Sequence, residues 1–487
     1  MHLPKKHTPL FRNNILFVFS SIIFFSLSLI KLYAFNTAIL DLGIFTHSIA
    51  NGHRALLSDV FFFGHAQPIL YFIRSILNFF WFAEPTHLLL LLQALCLASP
   101  IAILKQYFKS KLSSYAYLLF FPVWFCALND FHPDVFCVPI LSLFFKYLSE
   151  GKTILALLVL AILSSIKEIF IIQSLFCHIA LWLTYGGQPT AKTCSEKKLI
   201  FLSFGATILY LAITLILLSA SLDLSTQLSA PSGMYRIQPT SLTLQKITLL
   251  TFLGLSVGFV GLKNWKLLIT AVPIIAVPLV SSVPNHSWLS AHYLIGATIP
   301  IIICFDASMS GAKFGLKGRS LIALSIITTH ILISCSPISR IFWQDKVEKY
   351  GRSGYGLSSD KLKKINLLKK FSSSHKDAII SVQNNINFPG IHSVKEVLVF
   401  PDGVFSEHQI PVFRTFGGWY LKPVQAEFVI IDTDIEPFLG DKSCIMLFGV
   451  CTQLELLSDY EKSLDKLNLS FREVESQSGL KILQRER

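Results

Sequence analysis

The chain has 487 residues, of which 52% are hydrophobic and only 15% charged, with 41 phenylalanines. Soluble domains carry roughly 25% charged residues, so this composition excludes a single water-soluble globule and asks for lipid as a solvent. The formal net charge of +13 does not indicate nucleic acid, because the basic residues sit in short segments between apolar runs and not along one amphipathic face.

The first apolar run, 15–35, follows Lys5, Lys6 and Arg12. It is too long for a signal peptide and lacks a small-residue cleavage site, so it reads as a retained signal-anchor helix with a cytoplasmic N-terminus. A large first outer segment, 36–86, follows, and within it 69–82 reads as an amphipathic or re-entrant helix at the outer interface. Apolar runs then recur at 87–103, 115–128, the stretch ending at Lys146, 153–166, 169–185, 199–219, 249–262, 267–283, 293–305 and 320–335. Lysines mark alternate ends: Lys105, Lys109 and Lys111; Lys146 and Lys152; Lys192, Lys197 and Lys198; Lys263 and Lys266; Lys313 and Lys317. By the positive-inside rule these ends are cytoplasmic. The expectation is a polytopic α-helical membrane domain, 1–337, of about eleven transmembrane helices, with both the first large segment and the C-terminus outside.

From 338 to 487 the composition becomes that of an ordinary globular domain. Short apolar runs at 378–382, 397–400 and 428–431 predict buried strands, and 453–467 has a helical pattern. Ser476-Gln477-Ser478-Gly479 predicts a hairpin turn. This is a small extracytoplasmic soluble α/β domain. The nine cysteines include no CxxC or Cys/His spacing, which argues against zinc or redox chemistry, and an outer compartment admits a disulfide between Cys444 and Cys451 without fixing one.

Ionisable residues collect at the outer ends of the apolar runs. The first outer segment holds Asp41, His47, His53, Arg54, Asp59 and His65, and the second outer turn holds Asp130, His132 and Asp134. Lys167 and Glu168 mark the third, and Tyr235, Arg236, His286, His292 and Tyr293 the later ones. Charge at a membrane face is costly, so such a grouping suits a site for a lipid-linked or phosphate-bearing ligand. Each residue has a plainer reading as well. Asp41, Asp130 and Asp134 precede helical segments and fit caps, and Lys167 and Glu168 fit a pair that marks the interface. The histidines His47, His53, His65 and His132 have no ligand spacing, so no metal is assigned to them.

Asp41-Leu42-Gly43-Ile44-Phe45, His65-Ala66-Gln67-Pro68-Ile69, Gln93, Asp130-Phe131-His132-Pro133, Lys167-Glu168 and Ser381-Val382-Gln383-Asn384-Asn385, in this order, resemble an uncharacterised bacterial membrane-protein family designated domain of unknown function 2079. That family resembles the C-type glycosyltransferases, which take a sugar from a polyprenyl-phosphate carrier on the outer face of the membrane. The resemblance implies a bacterial inner (cytoplasmic) membrane, a polyprenyl-phosphate sugar donor, membrane lipid as a partner and an envelope acceptor. It implies Asp41 as catalytic base, Asp130 as a second acidic group, and Lys167 as the cation approaching the carrier phosphate. Arg54 or Arg236 would join Lys167, with Glu168, His65 and His132 completing the binding set. It leaves a divalent metal open as cofactor. Where the family pattern has an acidic residue after Lys-Glu this chain has Ile169, and where it has Phe-Ser after the first His this chain has Ala66-Gln67. The alternative is a non-catalytic transporter or envelope-assembly scaffold. Transporters favour internal repeats and charge near the midplane, and here neither an obvious repeat nor a midplane carboxylate is seen, apart from borderline positions such as His178 and His330.

Overall fold

A computed structural model describes residues 10–51, 65–185, 191–221, 243–281, 292–311, 314–344, 350–401, 403–404, 425–435, 464–465, 467 and 469–486. The helices are α1 (Leu10–Tyr33), α2 (Ile44–Asn51), α3 (Ile69–Phe79), α4 (Pro85–Leu104), α5 (Lys111–Leu118), α6 (Phe121–Leu128), α7 (Cys137–Ser149) and α8 (Thr153–Leu163). They continue with α9 (Glu168–Tyr185), α10 (Ala191–Ser221), α11 (Thr243–Leu255), α12 (Val272–Val280), α13 (Ile295–Gly311), α14 (Leu316–Ile333) and α15 (Ser359–Ser374). In lipid a backbone has no water to bond, so apolar runs close their hydrogen bonds within helices.

Among the described residues four helices are long and apolar enough to cross a membrane: Ile15–Tyr33, Pro85–Leu104, Cys194–Leu218 and Leu316–Ile333. A fifth span results if α5 and α6, bent by 41°, count together. The break between them has a local cause. Pro122 stands in the first turn of α6 and cannot donate a backbone bond, and Phe120 before it is extended. Trp124 Nε1 donates to the Leu118 carbonyl at 2.6 Å, so one side chain bridges the bend. The other apolar helices are shorter, among them Thr153–Leu163 and Thr243–Leu255. Several expected spans are thus interrupted. The run read as 249–262 divides between α11 and a 3-10 turn at Val260–Lys263, after Phe259 with its positive φ of 55°.

α1 packs along α4 and reaches the C-terminal end of α6. There Ser28 Oγ donates to the Ala127 carbonyl at 2.8 Å, Gln93 Nε2 donates to the same carbonyl at 3.3 Å, and Lys31 donates to the Leu128 carbonyl. These bonds satisfy the unpaired carbonyls at a helix end, where a cation is also favoured. By contrast α10 leaves Phe201, Leu202, Leu209 and Ile216 more than half exposed, an apolar surface suited to lipid.

The C-terminal part forms a five-stranded sheet of β1 (Ile379–Val382), β2 (Glu396–Val399), β3 (Phe428–Asp432), β4 (Phe471–Gln477) and β5 (Leu480–Arg485), in the order β2-β1-β3-β5-β4. β1 pairs parallel with β2 and β3, while β3–β5 and β5–β4 are antiparallel. The β4–β5 hairpin turns at Ser478 and Gly479, both with positive φ, as its sequence predicts. The three expected strands form within a residue or two of their expected bounds, whereas 453–463, Cys444 and Cys451 lie outside the described residues.

α15 covers the sheet with Ile365, Leu368 and Phe371, and Ser358 caps it by accepting from Lys361 N at 3.1 Å. The same core contains Phe35 and Ile39, from the segment that follows α1, buried to 2% and 0% exposure. Ile39 N donates to the Asn384 carbonyl at 2.6 Å, and Thr37 forms a parallel bridge with Ile386. The end of α1 and the sheet domain therefore lie at the same end of the helical bundle and share one core.

Candidate functional site

The junction between the first segment after α1 and the sheet domain brings together Asp41, Asp130 and His132. Ile39–Gly43 is a π turn, closed by Gly43 N donating to the Ala38 carbonyl at 3.2 Å. Such turns are rare and are frequently found at functional sites. Asp130, 1% exposed, fixes the start of this turn by accepting from Ala38 N at 3.0 Å. The plainer reading of Asp130 as a cap for the following helix is corrected here. The 3-10 turn Pro133–Phe136 has His132 at its N-cap, without a side-chain cap bond, and the Asp130 carboxylate reaches back to the earlier segment.

Asp41 sits inside the π turn, its Oδ1 3.5 Å from His132 Nε2. The Asp41 side chain is 27% exposed and that of His132 13%, so the carboxylate can be reached while the imidazole is mostly enclosed. Phe45 lies edge-on to both Phe131 and His132, with ring centroids 5.8 and 6.0 Å apart. The turn after α6 thus supplies both the residue that holds the π turn and the residue beside its carboxylate.

A second grouping lies at the break between α8 and α9. Glu168 opens α9, where a negative charge suits the helix N-terminus. It binds His65 Nδ1 at 2.6 Å and accepts from Ala66 N at 3.3 Å. Ile69 N donates to the Ser165 carbonyl at 2.9 Å, so 65–69 is fixed to this break by side chain and backbone. Lys167 is half-buried; its carbonyl accepts from Phe170 N at 2.9 Å, and its side chain has no hydrogen bond or ion pair among the described residues. Arg54 and Arg236 lie outside the described residues, as do His53, Asp59, Tyr235 and His286. No group of three or more His, Cys, Asp or Glu that could hold a metal ion occurs among the described residues.

The sheet domain adds contacts that the sequence did not suggest. His47 Nε2 lies 3.0 Å from the Val394 carbonyl. Glu84, just before α4, accepts from Gly390 N at 3.0 Å and lies 3.4 Å from His392 Nδ1. Burial pushes the Glu84 carboxyl up, but the bond to His392, its charge and the Gly390 N–H outweigh burial and hold it below the usual carboxylate range. No local pattern marks Glu84, because its partners lie some three hundred residues downstream.

No family model matches the chain, and neither a curated protein nor a solved structure matches it.

Proposed function

We propose that the protein is a membrane glycosyltransferase that moves a sugar from a polyprenyl-phosphate carrier to an envelope acceptor on the outer face. The observation that carries this reading is the Asp41 carboxylate, presented by a π turn beside His132 at the junction of the helix ends and the sheet domain. In the proposed reaction an acceptor hydroxyl oxygen attacks the anomeric carbon as the bond from that carbon to the carrier phosphate breaks. Asp41 takes the hydroxyl proton, and its position beside His132 orients the carboxylate for that transfer. Lys167, with Arg54 or Arg236, is the proposed counter-charge for the leaving polyprenyl phosphate. Asp130 acts by holding the turn that carries Asp41.

In this reading the shorter apolar helices also cross the membrane, giving eleven spans with the bent α5–α6 pair counted as one. The sheet domain then lies outside, with the end of α1. The fold would be like that of the C-type glycosyltransferases.

The test is turnover of labelled polyprenyl-phosphate sugars in proteoliposomes. Asp41→Asn keeps an oxygen where the carboxylate stood but cannot accept the proton, and it is expected to fold normally and lose at least about a hundredfold in turnover. Lys167→Ala is expected mainly to weaken donor binding. Full turnover by Asp41→Asn refutes the role given to Asp41. Failure of the wild-type protein to bind or turn over any such donor replaces the enzyme by the scaffold reading.

A further inference from the structure

We infer that the sheet domain completes the site with a pocket for sugar hydroxyls, formed where Asn387 and Thr37 meet the π turn. The choice of a sugar as ligand rests on the proposed transferase reading, while the pocket rests on geometry of its own.

From β1 the chain passes to β2 on one side, and later returns to β3 on the other. In open α/β sheets the crevice at the carboxyl ends of two such strands is the place where ligands bind. Here the chain leaving the carboxyl end of β1 faces the first outer segment: Asn384 O accepts from Ile39 N at 2.6 Å, and Ile386 pairs with Thr37.

Asn387 follows directly and is 0% exposed, yet among the described residues neither its Nδ2 nor its Oδ1 has a hydrogen-bond partner. Its amide is turned toward the π turn. A Cβ built on Gly43 would lie 3.1 Å from Ile39 Cδ1 and 3.4 Å from Asn387 Oδ1, so the amide lies against the backbone two residues from Asp41. Thr37, 3% exposed, also leaves its Oγ1 without a partner among the described residues.

A buried amide that makes neither of its bonds weakens the folded protein, and an apolar side chain of similar size would not. The arrangement makes chemical sense when something else completes it. One amide offers both a donor and an acceptor, and with the Thr37 hydroxyl this set matches the hydroxyl groups of a sugar. The same bonds left unmade would reject a ligand lacking those hydroxyls. Asn387 is therefore a binding residue that positions a hydroxylated ring near Asp41.

The experiment uses the purified full chain in detergent and a panel of methyl glycosides, with thermal unfolding and titration as readouts. At least one methyl glycoside is expected to raise the unfolding midpoint of the wild-type protein. Asn387→Leu is expected to raise the ligand-free midpoint and to weaken that glycoside by roughly tenfold, the equivalent of about one lost hydrogen bond. Thr37→Val, which removes only the hydroxyl, is expected to weaken it by a similar factor and serves if Asn387→Leu does not fold. The inference is overturned if no methyl glycoside shifts the wild-type protein, as a water-filled pocket would behave, or if the folded variants respond as the wild type does. Turnover of lipid-linked donors is read separately. Its absence, with the glycoside response intact, sinks the transferase reading and leaves the pocket standing.

Discussion

Truncating Ile39 or Phe35 should loosen the sheet domain, although both residues lie more than 300 positions before its first strand. Both are essentially fully buried in the core formed by α15, β1, β2, β3 and β5. A large-to-small change at such a site costs about 2–5 kcal/mol for Ile39→Ala and about 3–5 kcal/mol for Phe35→Ala, the lost transfer energy plus the cavity left behind. At about 1.4 kcal/mol per factor of ten, even the lower figure raises the open population of the domain by roughly thirtyfold. The helical bundle does not depend on these two side chains and should stay closed. The assay is hydrogen exchange on the full chain, followed at Ile380, Val382 and Ile430, which are fully buried in β1 and β3. Leu469→Ala is the control, since Leu469 is 81% exposed and its loss should cost no more than about 0.5 kcal/mol. Exchange at β1 and β3 that does not change in Ile39→Ala would refute a shared core.

Lys364 is 3% exposed and lies 2.8 Å from the buried Asp432 carboxylate, so Lys364→Met should cost about 3–5 kcal/mol by leaving a buried charge alone, and adding Asp432→Asn should recover most of it. Burial already pushes the Asp432 carboxyl up and Lys364 offsets only part of this; the folded-state value is above the unfolded one, so Lys364→Met should be most stable at acid pH and lose stability as pH rises through the raised pKa, read by thermal unfolding across pH. Glu84 has the opposite sign: its depressed folded-state pKa contributes stability that is fully present above the ordinary carboxylate value and is lost as pH falls through the folded value. Glu84→Gln should therefore cost about 1–3 kcal/mol of stability at neutral pH and flatten the loss of stability expected of the wild type in acid, read by thermal unfolding across pH. For orientation, a reporter active only in the cytoplasm and fused after Arg487 should be silent, and strong activity would invert the proposed topology.

The apolar runs were legible because a lipid solvent leaves a compositional mark that needs no tertiary context. The three strands of the parallel half of the sheet were legible too, since Ile379–Val382, Glu396–Val399 and Phe428–Asp432 are short apolar runs between turn residues. The helix α15 was not anticipated: lysines and serines dominate Ser359–Ser374, and only Ile365, Leu368 and Phe371 mark its buried face. Within the candidate site, the likeness in residue order drew attention to Asp41, Asp130, His132, His65 and Glu168, and the structure places the first three around one turn and pairs the last two. It could not show that Asp130 serves Ala38 rather than the helix beside it, because a hydrogen bond between residues 92 positions apart has no periodicity to read. For the same reason Phe35 and Ile39, at the end of an apolar run, looked like the exit of a membrane helix and not like the core of a sheet.

The shared core also sets a schedule for biogenesis. Ile39 is made roughly 340 residues before Ile379, its first strand neighbour in the sheet domain, and at about 5–20 residues per second the two are separated by roughly 20–70 s of synthesis. During that interval Phe35 and Ile39 have no sheet to enter, and the π turn with Asp41 meets Asp130 and His132 once the turn after α6 arrives. Final assembly of the junction thus waits until β5 has emerged, and a chain stalled before residue 480 would carry an apolar segment still in need of a temporary companion.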